Sequence, residues 1–426
     1  MKPPSVYLSN PGLVCCAGKN REEFFAAALR GDRRGVIPLS LRAGGMEQTF
    51  LVGRAEPGAA ENSRGARLRG LCAAALEQIR PAAEKALGRW GPERVGVCTG
   101  SCDNGTEWSL PAHRTFFETG AFPKNYDLRV QGAAAPAEYG AAFFGLRGPV
   151  LALATACASS ATAIIRGAEL IRSGICDAVI AGGADIASDM VLLGFTALEA
   201  VSPEPCNPFS KNRRGINLGE GAAFFVLSRE KLEAPAIVLA GYGESADGHH
   251  LTAPHPEGAG AVKAMEGALA RGGLTPEDIS YVNLHGTGTV LNDRAEALAM
   301  RRIFGDKQPP AGSSKPITGH TLGAAGTLEL ALCWSILNIP GTLPPHCWDG
   351  VQDPELPVLR LTGPAGIPGA SEKTNRPAPA RRPPLVPQDK IQYCMSNSFA
   401  FGGCNVSLIL GREKAAPHER NKGNRY

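Results

Sequence analysis

One cysteine in this sequence has neighbours suited to nucleophilic chemistry. Cys157 lies in the segment TACASS, between a segment that predicts a strand and one that predicts a helix. The first N–H groups of a helix are free and carry partial positive charge, so this position favours a thiolate over a thiol. The small residues around it leave room for a substrate carbonyl to reach the backbone. Taken alone, Cys157 is explained equally well as a buried apolar residue, because free cysteines are commonly buried.

Two of the eight histidines indicate the type of reaction in which this cysteine would take part. His285 lies in HGTGT after a predicted strand, and His320 lies in TGHTLGAAG before a predicted helix. Small residues follow both, which leaves space for a ligand, and neither has a metal-ligating residue three or four positions later. Two neutral imidazoles can donate N–H groups to an enolate or an oxyanion. A cysteine and two histidines therefore indicate a reaction that passes through such a species.

Segments typical of strands and segments typical of helices alternate along the chain. These elements must position Cys157, His285 and His320. The apolar runs RVGVCTGSC, PVLALATAC and DAVIAGGAD predict buried strands, and SSATAIIRGAELIRSG predicts a helix. The segment ARLRGLCAAALEQIRPAAEKAL also has helical periodicity, although Pro81 should kink or divide it. Residues 103–135 form a polar stretch without a predicted element.

The same order of elements returns in the second half of the chain. AIVLAGYGESAD and YVNLHGTGT predict strands, and helical segments follow each of them. We therefore predict two stacked α/β halves, residues 1–235 with Cys157 and residues 236–412 with the two histidines. Residues 363–388 are rich in Pro, Gly, Arg and Ala and predict an exposed loop, whereas residues 413–426 predict a disordered tail.

The composition argues against several other classes of protein. The net charge is only +4 and the basic residues are scattered, so we predict no nucleic-acid partner. The chain has no run of about 18 apolar residues that would span a membrane. Its first residues lack the long apolar run of a signal peptide, which predicts a cytoplasmic location. The twelve cysteines lack paired CxxC motifs, so we predict free, mostly buried thiols and no metal site.

Four motifs resemble those of the elongating β-ketoacyl-acyl-carrier-protein synthases and occur in the same order. They are TACASS, HGTGT followed by Asp293, SSKPITGHTLGAAGTLE and NSFAFGGCN, and PFSKNRRGINLGEGAAFFVL resembles a further block of that family. The resemblance covers roughly residues 5–411. It implies the thiolase fold, an α/β fold with a duplicated, five-layered α-β-α-β-α sandwich that is normally dimeric.

The resemblance also implies a role for individual residues. Cys157 would accept an acyl chain from an acyl carrier protein, and His285 and His320 would promote decarboxylation of a malonyl thioester and stabilise the enolate. No metal or redox cofactor is implied, because loss of carbon dioxide drives the condensation. The other implied roles are charge balance for Lys315 and Glu329, pantetheine binding for Thr287 and Thr289, acyl-site contacts for Phe399 and gating for Phe401, an oxyanion hole from the backbone N–H groups of Cys157 and Phe401, and carrier-protein docking for Arg213.

Other interpretations remain open for several of these residues and for the chain as a whole. Lys315 could pair with Asp293, and Glu329 could face solvent. A thiolase would use Cys–His–Cys, which Cys404 weakly resembles, and an initiating synthase would use Cys–His–Asn. The histidine of GHTLGAAG argues against both. A noncatalytic chain-length partner typically lacks the nucleophile that is present here.

The chain also departs from the family pattern. Ser210, Asn212 and Arg214 replace usual acidic residues, which makes that block more basic, and Ala400 replaces a usual glycine. The segment TLPPHCWDGVQDPELP, together with SSKPITGHTLGAAGTLELALC, resembles synthases of bacterial aryl polyene pigment clusters. Those act with a noncatalytic partner subunit, so a homodimer and a heterodimer with such a partner both remain open.

Overall fold

Short and mostly buried segments form the strands of the main sheet. The computed structural model describes residues 4–43, 46–56, 66–102, 105–339, 341–363, 385–386 and 391–413. The strands are β1 (Tyr7–Leu8), β2 (Gly12–Cys15), β3 (Val36–Ala43), β4 (Met46–Gly53), β5 (Val95–Gly100), β6 (Val150–Leu153), β7 (Ala178–Asp185), β8 (Leu218–Gly219), β9 (Gly221–Ser228), β10 (Ile237–Ala246), β11 (Ile279–Asn283), β12 (Ala311–Gly312), β13 (Gly341–Thr342), β14 (Leu385–Val386), β15 (Tyr393–Phe399) and β16 (Cys404–Arg412).

Helices connect most of these strands. Among the described helices, α1 and α7 begin with a side-chain cap, from Asn20 and Ser188, and several helices end at a glycine with positive φ, such as Gly31. The helices are α1 (Arg21–Arg30), α2 (Ala66–Gln78), α3 (Arg80–Trp90), α4 (Thr106–Thr119), α5 (Ala135–Phe144), α6 (Ser159–Arg172), α7 (Asp189–Ala197), α8 (Ala259–Gly272), α9 (Val290–Phe304), α10 (Lys315–Thr318) and α11 (Ala325–Asn338).

The strands of the two halves pair in the same pattern. Among the described residues, the main sheet runs in the order β12-β11-β15-β16-β10-β1-β9-β7-β5-β6, and β2 pairs with β9. In the first half, β6 and β7 lie parallel to β5, and β9 lies antiparallel to β7. In the second half, β12 and β15 lie parallel to β11, and β16 lies antiparallel to β15. The predicted duplication is therefore present in the hydrogen-bonding pattern.

Two central helices separate the halves of the sheet. Helix α6 packs on β5 and β7, α11 packs on β15 and β16, and the two helices contact each other. Every residue of α11 from Ala325 to Leu337 is buried, as expected for a helix enclosed on all sides. Helices α2 and α5 cover the outer face of the first half, and α8 and α9 cover that of the second. The predicted five-layered α-β-α-β-α arrangement is confirmed.

The candidate catalytic residues lie in turns and loops at the ends of these elements. Cys157 lies between β6 and α6, and His285 lies two residues after the end of β11. His320 lies between α10 and α11, and Phe401 follows β15. The carboxyl ends of strands are where α/β sheets usually bind ligands. The fold therefore brings all four residues to one edge of the stacked halves.

Some elements differ from the sequence-based expectations. The division at Pro81 is confirmed, since α2 ends at Gln78 and α3 begins at Arg80 with the proline in its first turn. The polar stretch 103–135 contains α4, whose helical pattern is obscured by the internal Pro111. Most of the predicted loop 363–388 and all but the first residue of the predicted tail 413–426 lie outside the described residues, and the boundary at residue 235 stays a prediction. No helix in the described ranges is long and apolar enough to cross a membrane.

Replacement of Gly100 tests how closely β5 packs against the start of α6. A Cβ at Gly100 would lie 2.2 Å from backbone atoms of Ser159 and Ser160. We expect Gly100→Ala to lower the free energy of unfolding by about 1–3 kcal/mol in urea denaturation, because overpacking forces the backbone to shift. Gly88→Ala is the matched control, since its Cβ meets no atom within 4 Å and the position is helical. Equal stability of the two variants would contradict this packing.

Candidate active site

Cys157 lies in a sharp turn that leads directly into α6. A 3-10 turn spans Ala156–Ala158, and α6 begins at the next residue. Ala156 has φ of 48°, which residues other than glycine rarely adopt, so the backbone bends sharply just before the cysteine. The side chain of Cys157 is buried. The predicted position of the thiol at the start of a helix is therefore present.

The sequence predicted that the helix end would favour the thiolate of Cys157, but in the structure the pKa of this thiol is raised. Burial raises the pKa of Cys157 from 9.0 to about 11. The positive charge of Lys315 and the backbone N–H groups of Phe401 and Cys157 act in the opposite direction, but their effect is smaller. Cys157 is therefore a thiol in this structure, and a base must take its proton before it can act as a nucleophile.

His320 is positioned to be that base. Its Nε2 lies 3.0 Å from Sγ of Cys157, and its side chain is buried. Its backbone is held by the carbonyl of Asn217 and by the N–H of Gly219. Burial, followed by the charge of Lys315, holds the pKa of His320 well below 6.5, so the imidazole is neutral. Within the described ranges its Nδ1 has no hydrogen-bond partner, so its tautomer depends on the contact between Nε2 and Sγ of Cys157.

His285 lies beside His320 with a fixed tautomer. The ring centroids of the two histidines are 5.5 Å apart. Lys315 Nζ donates to the backbone oxygen of His285 at 2.6 Å and lies 3.3 Å from its Nδ1. Because an ammonium group has no acceptor, Nδ1 must accept and Nε2 must carry the proton. That Nε2 is buried and has no hydrogen-bond partner in the part of the chain that the structure describes, and burial holds the pKa of His285 well below 6.5.

A buried ion pair supports the two histidines. Lys315 Nζ binds Oε1 of Glu329, and both side chains are almost fully buried. Burial raises the pKa of Glu329 to about 7, while the lysine charge acts against this increase. The alternatives in which Lys315 pairs with Asp293 and Glu329 faces solvent are both wrong. Asp293 instead accepts the backbone N–H groups of Phe209 and Gly288 at 2.7 and 3.0 Å.

Two cavities meet at Cys157 and are separated by an aromatic pair. The rings of Phe195 and Phe401 stack with centroids 5.7 Å apart, and both rings line both cavities. One cavity is also lined by Ala200, Ile216, His285, Thr287, Thr289, Asn292, His320 and Phe399. The other is also lined by Ser101, Cys102, Ala154, Ala156, Val191 and Leu322. The thiol therefore lies where a chain in one cavity would meet a group in the other.

The chain matches known families over most of its length. The N-terminal domain of β-ketoacyl synthases matches residues 68–233, and the C-terminal domain matches residues 236–347. The 3-oxoacyl-[acyl-carrier-protein] synthase 2 of Vibrio cholerae is 34% identical over 75% of this chain and 76% of its own. The protein belongs to the β-ketoacyl synthase family. This confirms the family that the motifs indicated.

Further similarities extend to solved structures. A ketosynthase (ApeO) from Xenorhabdus doucetiae, solved in complex with its chain length factor (ApeC), has a TM-score of 0.83 and 36% identity, and the match covers 96% of this synthase and 98% of that chain. Nodulation protein E of Rhizobium leguminosarum bv. trifolii is 37% identical, but the match covers only 63% of each chain. The coverage by the solved structure includes both halves of the fold.

Arg213 does not have the position that was predicted for it in this synthase. Its side chain is buried, its Nη1 pairs with Asp353, and the same nitrogen donates to the carbonyl of Ser210. A buried guanidinium with these partners cannot dock a carrier protein, so that prediction is wrong. In the same block, Ser210 and Asn212 donate to Asp349 at 2.8 and 2.9 Å. A carboxylate from another segment thus interacts with the positions where the family usually has acidic residues.

Sequence reasoning also missed residues that shape the site. Phe195 was missed because α7 was not predicted. Glu296 is buried and accepts the N–H groups of His285 and Gly286, each at 2.8 Å, and the amide of Asn397 at 3.3 Å. It follows Asp293 by three positions on α9, so the two carboxylates lie on one helix face. That spacing was the available signal, and both carboxylates hold the HGTGT backbone.

The pH dependence of stability tests the buried state of Glu296. Burial raises its pKa from 4.5 to about 7. The folded protein therefore binds this proton more tightly than the unfolded chain, and the resulting stabilisation is present below pH 4.5 and lost as the pH rises to 7. We expect Glu296→Gln to gain stability relative to the wild type over this window, by on the order of 1–3 kcal/mol in urea denaturation. Glu266→Gln, on the exposed face of α8, is the control, and a Glu296→Gln curve parallel to the wild type would contradict the prediction.

Proposed function

We propose that this protein is a β-ketoacyl-acyl-carrier-protein synthase with Cys157 as its nucleophile. The observation that carries the proposal is the 3.0 Å contact between Cys157 Sγ and the neutral His320, with His285 beside it. A thiol in contact with a neutral base can be activated at the moment of attack. Family membership supports the reaction class, and the contact supports the choice of Cys157, His285 and His320 as the reacting residues.

Acyl transfer to Cys157 is the first half of the proposed reaction. The carbonyl oxygen of an acyl thioester would be held by the backbone N–H groups of Cys157 and Phe401, which lie close to Sγ. Sγ bonds to the carbonyl carbon while His320 takes the thiol proton. The bond to the carrier thiol then breaks, and that thiol leaves with the proton. The acyl chain would extend into the cavity lined by Cys102, Val191 and Leu322.

Decarboxylation and condensation form the second half. A malonyl thioester would reach the site through the other cavity, where Thr287 and Thr289 line the path of its pantetheine arm. Its carboxylate leaves as carbon dioxide, and the electron pair forms an enolate whose oxygen accepts N–H groups from His285 and His320. The enolate carbon bonds to the acyl carbonyl carbon, the bond to Sγ breaks, and the thiolate takes up one proton from solvent, which balances the charge of the malonyl carboxylate. His320 can serve in both halves because no described residue binds its Nδ1, so its tautomer can change once acylation has removed the thiol proton.

A chain-length partner and an acyl carrier protein are the proposed partners. The ketosynthase of Xenorhabdus doucetiae, 36% identical, was solved with its chain length factor. Among the described strands, β6 pairs with β5 alone and lies at the edge of the sheet, and its Val150 and Leu151 are 42% and 37% exposed. An apolar edge strand is a surface on which another chain can add a strand. The exposed edge strand supports association with a second chain, and the solved relative makes a chain length factor the proposed occupant. The aryl polyene type of chain elongation is proposed from this relative together with the sequence segments that resemble synthases of that pathway.

The noncatalytic alternative conflicts with the geometry. A chain-length subunit needs neither an activated thiol nor a buried ion pair that holds His285 in one tautomer. Burying the Lys315–Glu329 pair costs desolvation free energy. Its contacts to His285 have a role in the proposed reaction, whereas a subunit without a reaction would gain nothing from them. The proposed reaction also uses no cofactor beyond the phosphopantetheine arm of the carrier.

Separate assays of the two half-reactions test these roles. We expect Cys157→Ala to abolish condensation but to keep measurable malonyl decarboxylation, because the enolate step needs the histidines rather than the thiol. We expect His285→Ala to lower decarboxylation by roughly 100-fold, as for loss of an oxyanion donor. Product mass and carbon dioxide release are measured with acyl and malonyl carriers, and His113→Gln on α4 is the control. Condensation by Cys157→Ala, or normal decarboxylation by His285→Ala, would refute the assignment.

A further inference from the structure

His346 is a buried histidine that the proposed chemistry does not use. Its side chain is 3% exposed, and burial lowers its pKa to about 4. Its Nδ1 accepts the backbone N–H of Ser313 at 3.1 Å, and its Nε2 lies 3.0 Å from the carbonyl oxygen of Pro208. A carbonyl oxygen only accepts, so Nε2 carries the proton and both ring nitrogens are satisfied. A neutral ring with two partners joins two segments that are far apart in sequence.

The residue that binds His346 Nδ1, Ser313, is also hydrogen-bonded to Lys315. Ser313 Oγ donates to the carbonyl of Gly286 at 2.9 Å, and the backbone N–H of Lys315 donates to the same Oγ at 3.3 Å. Lys315 Nζ in turn binds the backbone oxygen and Nδ1 of His285. The contact at His346 Nδ1 therefore fixes the segment from which Lys315 reaches His285.

The contact between His346 Nε2 and Pro208 is connected to the loop of residues 285–289 through Phe209 and Asp293. The next residue, Phe209, has φ of 62° and donates its backbone N–H to Asp293 at 2.7 Å. Asp293 also accepts the N–H of Gly288 at 3.0 Å. The ring of Phe209 lies so close that a Cβ on Gly286 would be 3.1 Å from it. Both sides of the His346 ring thus support the loop of residues 285–289.

We infer that His346 is a positioning residue for the enolate step, an inference that rests on the proposed function. It holds Lys315 and the HGTGT loop in register, so that Lys315 faces Nδ1 of His285 and the Nε2–H of His285 points into the site. It touches neither Cys157 nor His320. His320 is held by different contacts, through Asn217 and Gly219. Lys315 acts on Cys157 and His320 through its charge, which a small displacement changes little, whereas its hydrogen bond to His285 Nδ1 depends on exact position. Disturbing His346 should therefore slow decarboxylation and leave acylation of Cys157 unchanged.

Replacement of His346 by asparagine or by glutamine removes one hydrogen bond of its ring at a time. The side-chain amide of asparagine reaches the position of Nδ1, and that of glutamine reaches the position of Nε2. We expect His346→Gln, which loses the acceptor for Ser313, to lower kcat of malonyl decarboxylation about 10-fold, with KM changed less than about 2-fold, because a 1 Å displacement of a catalytic group is enough for losses of this size. We expect His346→Asn to retain the rate within about 3-fold, as the rescue that keeps this acceptor.

Ser313→Ala provides a second test that removes only one hydroxyl group. It should reproduce the loss, and the double variant His346→Gln/Ser313→Ala should lose no more than either single variant, because both interrupt one path. Acylation of Cys157, followed by intact mass, should stay at the wild-type rate in all of them, and His113→Gln should match the wild type in both assays. Equal losses in acylation and decarboxylation, or no loss in either, would overturn the inference.

A spectroscopic readout is independent of activity. In protein labelled with [15N]histidine, the His285 ring should show the Nε2–H tautomer alone, and His346→Gln should give a mixture of tautomers while the His320 signals keep their shifts. An unchanged His285 spectrum would overturn the positioning role. A wild-type protein that neither decarboxylates nor condenses, yet shows this spectral change, would instead overturn the proposed function.

Discussion

The active site depends on one buried ammonium group. Lys315 has three donors and three partners, namely Glu329 Oε1 and the backbone oxygen and Nδ1 of His285. A buried charge without such partners would destabilise the fold by several kcal/mol, whereas here the charge is neutralised and its hydrogen bonds are satisfied. The same contacts fix the tautomer of His285, and the lysine charge adds to burial, the larger cause, in lowering the pKa of both His285 and His320. The site thus has two neutral imidazoles beside a thiol.

The fold excludes water from the site, which strengthens the hydrogen bonds and the ion pair of Lys315. Glu329 lies on α11, which is enclosed by the two halves of the sheet and by α6. Cys157 is brought there by the turn before α6, and His285 by the end of β11. Each half alone would leave one face of its sheet and one central helix exposed. The duplication is therefore what permits a charged residue, a carboxylate and two histidines to be held away from water.

The sequence predicted the fold and the catalytic candidates better than it predicted their environment. Strand and helix patterns, with the motifs around Cys157, His285 and His320, were enough for the five-layered fold and for the family. The raised pKa of Cys157 was not predictable, because burial by distant segments outweighs the local helix end. Arg213 was misjudged for the same reason, since its partner Asp353 lies 140 positions away. Local patterns describe elements, whereas burial and pairing depend on contacts that join remote parts of the chain.

The most direct test of the central claim is intact-mass spectrometry of the protein during one reaction cycle. Incubation with an acyl carrier protein should add the mass of one acyl group, and peptide mapping should place it on Cys157. Addition of a malonyl carrier should then remove the adduct, release carbon dioxide and yield a carrier-bound β-ketoacyl product. Absence of an adduct, an adduct on another cysteine, or an adduct that the malonyl carrier does not discharge would contradict the account.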